Sequence, residues 1–338
     1  MDEVISLTEA AQRYSVKVTR LRKAAEEGRL DVRRIGGSRE RFVVPSEVER
    51  FLQGGGQAPK PKMGPAAAPR DGLARVIAVA IPKGGTGKTT TTLNLGAALA
   101  EQGKRVLLID LDPQGSLTLA LGVRPSASHP TIYDAIKDYV VNLEAQLETA
   151  IVPVRANLDL VPASARLNLA NAELVSARRG EDVLRHLLDP MRPLYDIILI
   201  DTLPYLGILV ENALVAAQEV LIPTQPQYLS SESVTLLYRQ INEIRKGGVN
   251  PELRISGILI TQVQPSRVVD RHYRDEIRAV FGKEAGVFQT EIKASSAVQQ
   301  SQGMSPPQTV LEYAPDGEVA KAYRALAKEV WDATQQSI

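Results

Sequence analysis

The chain has 338 residues, 44% of them hydrophobic, enough for one large domain or two with a proper core. Its formal net charge of +1 confines any nucleic-acid surface to a local patch, and 4% aromatic content argues against a base-stacking binder of single strands. The absence of cysteine excludes disulfides, thiolate metal sites and cysteine-ligated iron–sulfur clusters, and suits a cytosolic protein.

In chain order, MDEVISLTEA lacks the basic and apolar regions of a signal peptide. Residues 1–52 carry two capping-box patterns, Ser6-Leu7-Thr8-Glu9 and Ser46-Glu47-Val48-Glu49. A helix over TEAAQRY, a turn at Ser15, a second helix over VKVTRLRKAAEEG and two strand-like arms around Gly36-Gly37 predict a winged helix-turn-helix. The pattern resembles the excisionase and MerR-like modules. Residues 13–41 hold basic side chains in excess of acidic ones, where DNA phosphates would want them. Arg20, Arg22 and Lys23 on the second helix and Arg33 and Arg34 near the wing are the candidate DNA contacts. A solvated face on a protein-interaction module is the alternative.

Residues 53–74, QGGGQAPKPKMGPAAAPRDGLA, have no period of either kind and predict a flexible linker. Beyond it, residues 75–338 alternate. Near-continuous aliphatic runs at 75–81, 105–112, 196–202, 219–224 and 255–261 read as strands buried on both faces. Helical stretches at 89–103, 208–218, 233–246 and 268–282 separate them. This predicts an α/β fold, a doubly wound and mostly parallel sheet, with ligands at the carboxyl ends of the strands. No apolar run reaches membrane-spanning length. Near the C-terminus Val319, Tyr323, Leu326 and Val330 share a helical face. A membrane-surface helix is one reading, but mixed charges on the opposite side favour docking on the core.

Polar residues collect at the predicted strand ends. Lys83-Gly84-Gly85-Thr86-Gly87-Lys88-Thr89-Thr90 lies between a buried strand and a helix, the context of a phosphate-binding loop. Its glycines let backbone N–H groups turn inward; Lys88 reaches the phosphates and the Thr89 hydroxyl can bind Mg²⁺. The usual opening glycine is replaced by Pro82, and Lys83 is an additional lysine. Asp110 and Asp112 end one strand and Asp201 another, where carboxylates hold Mg²⁺ or orient water. A turn role for Asp112, before Pro-Gln-Gly, can coexist with function.

The series K-G-G-x-G-K-T-T, I-D-x-D-P-Q-G and Y-D-I-I-x-I-D-T resembles the ParA-type partition ATPases with a deviant Walker loop, over about residues 75–332. The resemblance implies ATP and Mg²⁺ as cofactors and weak ATPase activity. It implies an ATP-dependent homodimer in which Lys83 contacts the nucleotide of the other subunit. Asp112 and Lys83 would then be catalytic, residues 83–90 nucleotide-binding, and Thr89 and Asp201 the metal ligands. ATP-dependent nonspecific DNA binding would use Arg239, Arg245, Lys246 and Arg267. The partner would be a ParB-like centromere-binding protein, the location cytoplasmic and nucleoid-associated, with no membrane association. Departures from the family pattern are Pro82, Thr86, Leu203 and the loop Gln264-Pro265-Ser266-Arg267. A transcriptional or spatial regulator using the same switch is the alternative function.

Overall fold

The structure, a computed structural model, describes residues 5–14, 16–26, 30, 42–52, 72–125, 129–143, 146–227, 230–282 and 285–335. The chain divides into two compact units, residues 1–67 and 68–338.

The smaller unit contains β1 (Ile5–Ser6), α1 (Leu7–Arg13), α2 (Val18–Glu26), β2 (Phe42–Val43) and α3 (Pro45–Leu52), with β1 and β2 antiparallel. Ser6 caps α1 by accepting Glu9 N at 3.1 Å, as its capping pattern predicts. The second pattern is misplaced by two residues. Helix α3 begins at Pro45, whose fixed φ suits the first helical position, so Ser46 lies inside the first turn rather than before it. Leu7, Ala10, Leu21, Ala24, Val43 and Val48 form a core of their own. Most of the predicted wing, with Arg33 and Arg34, lies outside the described residues, as does the linker up to residue 71.

The larger unit opens with β3 (Arg75–Val79), α4 (Lys88–Glu101), β4 (Val106–Asp110), α5 (Ser116–Ala120) and α6 (Ile132–Asn142). Next come β5 (Val152–Arg155), β6 (Leu158–Val161), α7 (Ala170–Ser176), α8 (Val183–Leu188), β7 (Ile197–Asp201) and α9 (Ile208–Ala216). It closes with β8 (Glu219–Thr224), α10 (Ser230–Lys246), β9 (Arg254–Ile260), α11 (Val268–Phe281), α12 (Ser296–Gln302), α13 (Val310–Tyr313) and α14 (Glu318–Gln335).

The sheet order is β5-β6-β4-β7-β3-β8-β9, parallel except for the antiparallel β5–β6 pair. The five predicted strands are present. The hairpin β5–β6 is additional: Pro153 argues against a strand, and is tolerated because β5 lies at the sheet edge. Alternate residues of one strand enter opposite cores. Val76 and Ala78 join the layer beneath α6, α8 and α9, whereas Ile77 and Val79 join the layer beneath α4 and α14. Helix α4 can lie close because Gly96 faces Leu108; an added Cβ would sit 2.7 Å from Leu108 Cδ2. On α14, Val319, Tyr323, Leu326 and Val330 are all buried in that second layer, so the apolar face is docked on the core. Among the described residues no helix is long and apolar enough to cross a membrane.

Candidate functional site

The central strands β4, β7 and β3 end side by side. Asp110 and Asp201 are register partners, as are Val79 and Asp201, so the two acids and the loop after β3 share one rim of the sheet. Three segments distant in sequence thereby converge where such sheets bind ligands.

The loop leaves β3 through Ile81 and turns into α4 with Gly85 and Gly87 in the left-handed region, at φ 73 and 89. Both positions therefore favour glycine. Gly84 and Gly85 are exposed and Thr86 is fully buried. Gly87 is the residue before α4, and the first turn of that helix presents backbone N–H groups that no preceding turn can satisfy. Lys88 is buried, with Nζ donating to Lys83 O at 2.7 Å and Ile81 O at 3.3 Å, so its ammonium lies across the inside of the loop. Burial pulls its pKa below the usual lysine value, against the attraction of Asp201 and Asp112. Lys83 is only half-buried, and its Nζ contacts Gln227 Oε1 at 3.4 Å. Two lysines five positions apart thus occupy different places.

Asp110 and Asp201 have no solvent exposure. Asp110 Oδ2 accepts Thr118 Oγ1 at 2.6 Å and Thr118 N at 2.8 Å, and Oδ1 accepts Asp112 N at 3.2 Å. It therefore braces the segment 112–118. Asp201 Oδ1 accepts a long bond from Thr92 Oγ1, 3.5 Å, and among the described residues Oδ2 makes no hydrogen bond of ordinary geometry. Burial, then repulsion by Asp110, pushes the Asp201 carboxyl well above the usual range, while the Thr89 hydroxyl and Lys88 pull the other way. Burial likewise raises Asp110, against its bonds from Thr118 and Asp112.

An orphaned buried carboxylate oxygen beside a threonine hydroxyl fits a hard divalent cation. Mg²⁺ is commonly held by one or two protein oxygens together with phosphates and waters. Asp112 is half-buried. Its Oδ1 accepts Gln114 N at 2.9 Å, so the predicted turn role is realised.

A groove of about 560 Å³ runs from Gly87 and Thr90 past Gln262 to Ser295, Gln299 and Tyr323. Asn94 Oδ1 accepts Val310 N at 2.9 Å, which ties α13 to the loop helix.

A family profile described as an AAA domain matches residues 74–255. The sporulation initiation inhibitor protein Soj of Bacillus subtilis is 35% identical over 258 residues, 76% of this chain and 98% of that protein. The chromosome partitioning protein ParA of Caulobacter vibrioides is 36% identical over 258 residues, 76% of this chain and 93% of its own length. This chain belongs to the ParA/Soj family. It is a P-loop ATPase by that membership and by its loop. Among solved structures, cobyrinic acid a,c-diamide synthase of Mycobacterium smegmatis, with bound ADP and magnesium, superposes with a TM-score of 0.66. It is 31% identical and covers 79% of this chain and 97% of its own.

In this ParA/Soj-type chain the basic residues predicted for DNA are dispersed. Arg20, Arg22 and Lys23 are exposed on α2 of the small unit. Arg239, Arg245 and Lys246 are exposed on α10, and Arg267 is exposed just before α11. Arg274 and Arg278, on α11, instead pair with Glu291 at 2.9 and 3.0 Å, so their charge is committed within the fold.

Proposed function

We propose that the chain is a DNA-partition ATPase that dimerises on ATP, binds DNA nonspecifically in that state, and is reset when a ParB-like partner stimulates hydrolysis. The observation that carries this reading is the separation of the two lysines. Lys88 lies inside the loop, bonded to the carbonyls of Ile81 and Lys83, and supplies the phosphate lysine in cis. Lys83 lies toward Gln227, and in this reading it meets the nucleotide of a second copy. Two triphosphates facing each other across an interface repel unless cations intervene, so association depends on this lysine and on the γ-phosphate.

ATP and Mg²⁺ are the cofactors. The amides of residues 84–89 and the α4 N-terminus cradle the phosphates, and Lys88 neutralises them. Thr89 and Asp201 would hold Mg²⁺, which when bound would supply positive charge to offset that of the phosphates. Asp112 accepts from the attacking water and aligns it. Asp110 sets the backbone of Asp112 through its amide.

DNA binding is assigned to Arg239, Arg245, Lys246 and Arg267 of the ATPase unit, without sequence preference. The small unit is assigned as an operator-reading helix-turn-helix through Arg20, Arg22 and Lys23, with Arg33 and Arg34. The antiparallel β1–β2 pair beside two short helices supports that assignment. A second reading is an ATP-dependent amide synthase, favoured by the likeness to the mycobacterial diamide synthase. Turnover stimulated by DNA and a partner, rather than by a carboxylic acid and an ammonia source, separates the two.

The deciding experiment is Lys83→Ala. Binding of a slowly hydrolysed ATP analogue should persist, because Lys88, Thr89 and the loop amides remain. Analogue-dependent dimerisation in sedimentation, and nonspecific DNA binding with it, should fail. A Lys83→Ala protein that still dimerises would overturn the reading.

A further inference from the structure

The outer side of the phosphate loop is held by side chains from two other strand ends. The Gly85 carbonyl accepts Gln262 Nε2 at 2.6 Å and Gln225 Nε2 at 2.9 Å. The next carbonyl, that of Thr86, accepts Thr261 Oγ1 at 2.7 Å. Thr261 N donates to Thr224 O at 2.8 Å, which joins the ends of β8 and β9 behind the loop. Gln262 reaches the loop from the left-handed region, φ 55, which a long side chain adopts only where its surroundings demand it. A Cβ at Gly87 would lie 3.9 Å from Thr261 Oγ1 and 4.0 Å from Gln262 Nε2, so these groups sit close behind the turn into α4.

The consequence follows from peptide geometry. In a trans peptide the N–H points opposite to the preceding C=O. Fixing the Gly85 carbonyl toward the glutamines aims the Thr86 N–H to the other side of the loop. Fixing the Thr86 carbonyl toward Thr261 does the same for the Gly87 N–H. Two successive amides are therefore oriented through their carbonyl ends.

We propose that Gln225 and Gln262 are positioning residues for phosphate recognition, a shared clamp on the Gly85 carbonyl that holds the Thr86 amide in its donating orientation before nucleotide arrives. The proposal rests on the reading of this loop as the ATP phosphate site. Neither glutamine belongs to the loop, and neither is a ligand. What they contribute is preorganisation, which lowers the cost of ordering the loop at the moment of binding.

Because two donors share one acceptor, either alone preserves most of the orientation. Gln225→Met and Gln262→Met keep side-chain length and remove the donor. Gln262→Met should weaken ATP-analogue binding about threefold, Gln225→Met less, and the double variant about tenfold or more beyond the product of the two. In steady-state turnover the double variant should raise KM while kcat stays within about twofold, since Lys83, Lys88 and Asp112 are untouched. The thermal midpoint of the nucleotide-free protein should not move.

The full-length protein is titrated with a slowly hydrolysed ATP analogue and Mg²⁺, with Lys88→Ala as a control. A wild-type chain that does not bind the analogue sinks the phosphate-site reading itself. A wild-type chain that binds, beside a double variant that binds equally well, sinks the clamp alone. Multiplicative single effects, or affinity losses that track a falling midpoint, make the glutamines ordinary structural contacts and overturn the proposal. If the double variant does not fold, Gln262→Met decides: unchanged affinity in that variant overturns it.

Discussion

Three aspartates at one sheet rim have three different environments, and these suit them to different work. Asp110 is bonded by Thr118 and the Asp112 amide, so it is a brace. Asp201 keeps an unpartnered buried oxygen beside Thr89 and Lys88, so it suits a cation. Asp112 is half-buried and uses one oxygen for a turn, so it remains available to solvent chemistry. Asp112→Asn separates the charge from the turn, because an amide oxygen can still accept Gln114 N. Nucleotide affinity should stay within a few-fold of wild type, while kcat falls about 10²–10⁴-fold, the usual worth of a positioned base. Normal turnover in Asp112→Asn, measured by phosphate release, would remove Asp112 from the mechanism. The loop residues 83–90 and these acids were legible because each lies in a short contiguous motif. Gln225, Thr261 and Gln262 were not, because they act on loop carbonyls across more than a hundred residues of sequence.

At the scale of elements, short connections are held by caps and ion pairs that local patterns reveal only in part. Thr309 and Glu312 form a reciprocal capping box on α13, and Arg155 of the edge strand β5 makes a two-pronged pair with the same carboxylate, at 2.6 and 2.9 Å. Helix α13 is thereby tied to β5 as well as, through Asn94, to the loop helix. Partial burial raises the Glu312 pKa, but the bonds from Arg155 and Thr309 outweigh it and hold the carboxyl below the ordinary glutamate value. A depressed carboxylate stabilises the fold fully above the unfolded pKa and loses that contribution as pH falls through the folded one. Glu312→Gln should therefore lower the thermal midpoint near neutral pH, by the equivalent of about 0.5–1 kcal/mol for a partly exposed pair. The gap should close as pH drops well below about 4. A gap that widens in acid would mean that the pair is not what Glu312 contributes. The element pattern itself followed the aliphatic runs closely for β3, β4, β7, β8 and β9. It missed the β5–β6 hairpin, where four-residue strands and Pro153 carry too little signal.

The whole molecule joins a small unit with its own core to a larger ATPase unit. Separate cores imply separable activities. Deleting residues 1–52 should leave ATP-dependent, sequence-independent DNA binding and abolish any operator preference. Both activities should weaken steeply with salt as phosphate contacts release counterions. Filter binding or anisotropy with operator and scrambled duplexes measures this. Retained operator preference in the shortened chain would reassign sequence reading to the ATPase unit.

By itself the sequence determined the fold class, the phosphate loop with its second lysine, the acidic strand ends and the docking face of α14. Each is written in a contiguous run or a single period, and local sterics and apolar burial act on such patterns directly. Tertiary structure decided which strands are neighbours, and hence that Asp110 and Asp201 stand in register beside the loop. It also decided that Arg274 and Arg278 are committed to Glu291, and that the loop is clamped from behind by the ends of β8 and β9. These are pairings across long stretches of chain. Their partners are chosen by sheet order and close packing, and residue type alone does not encode either.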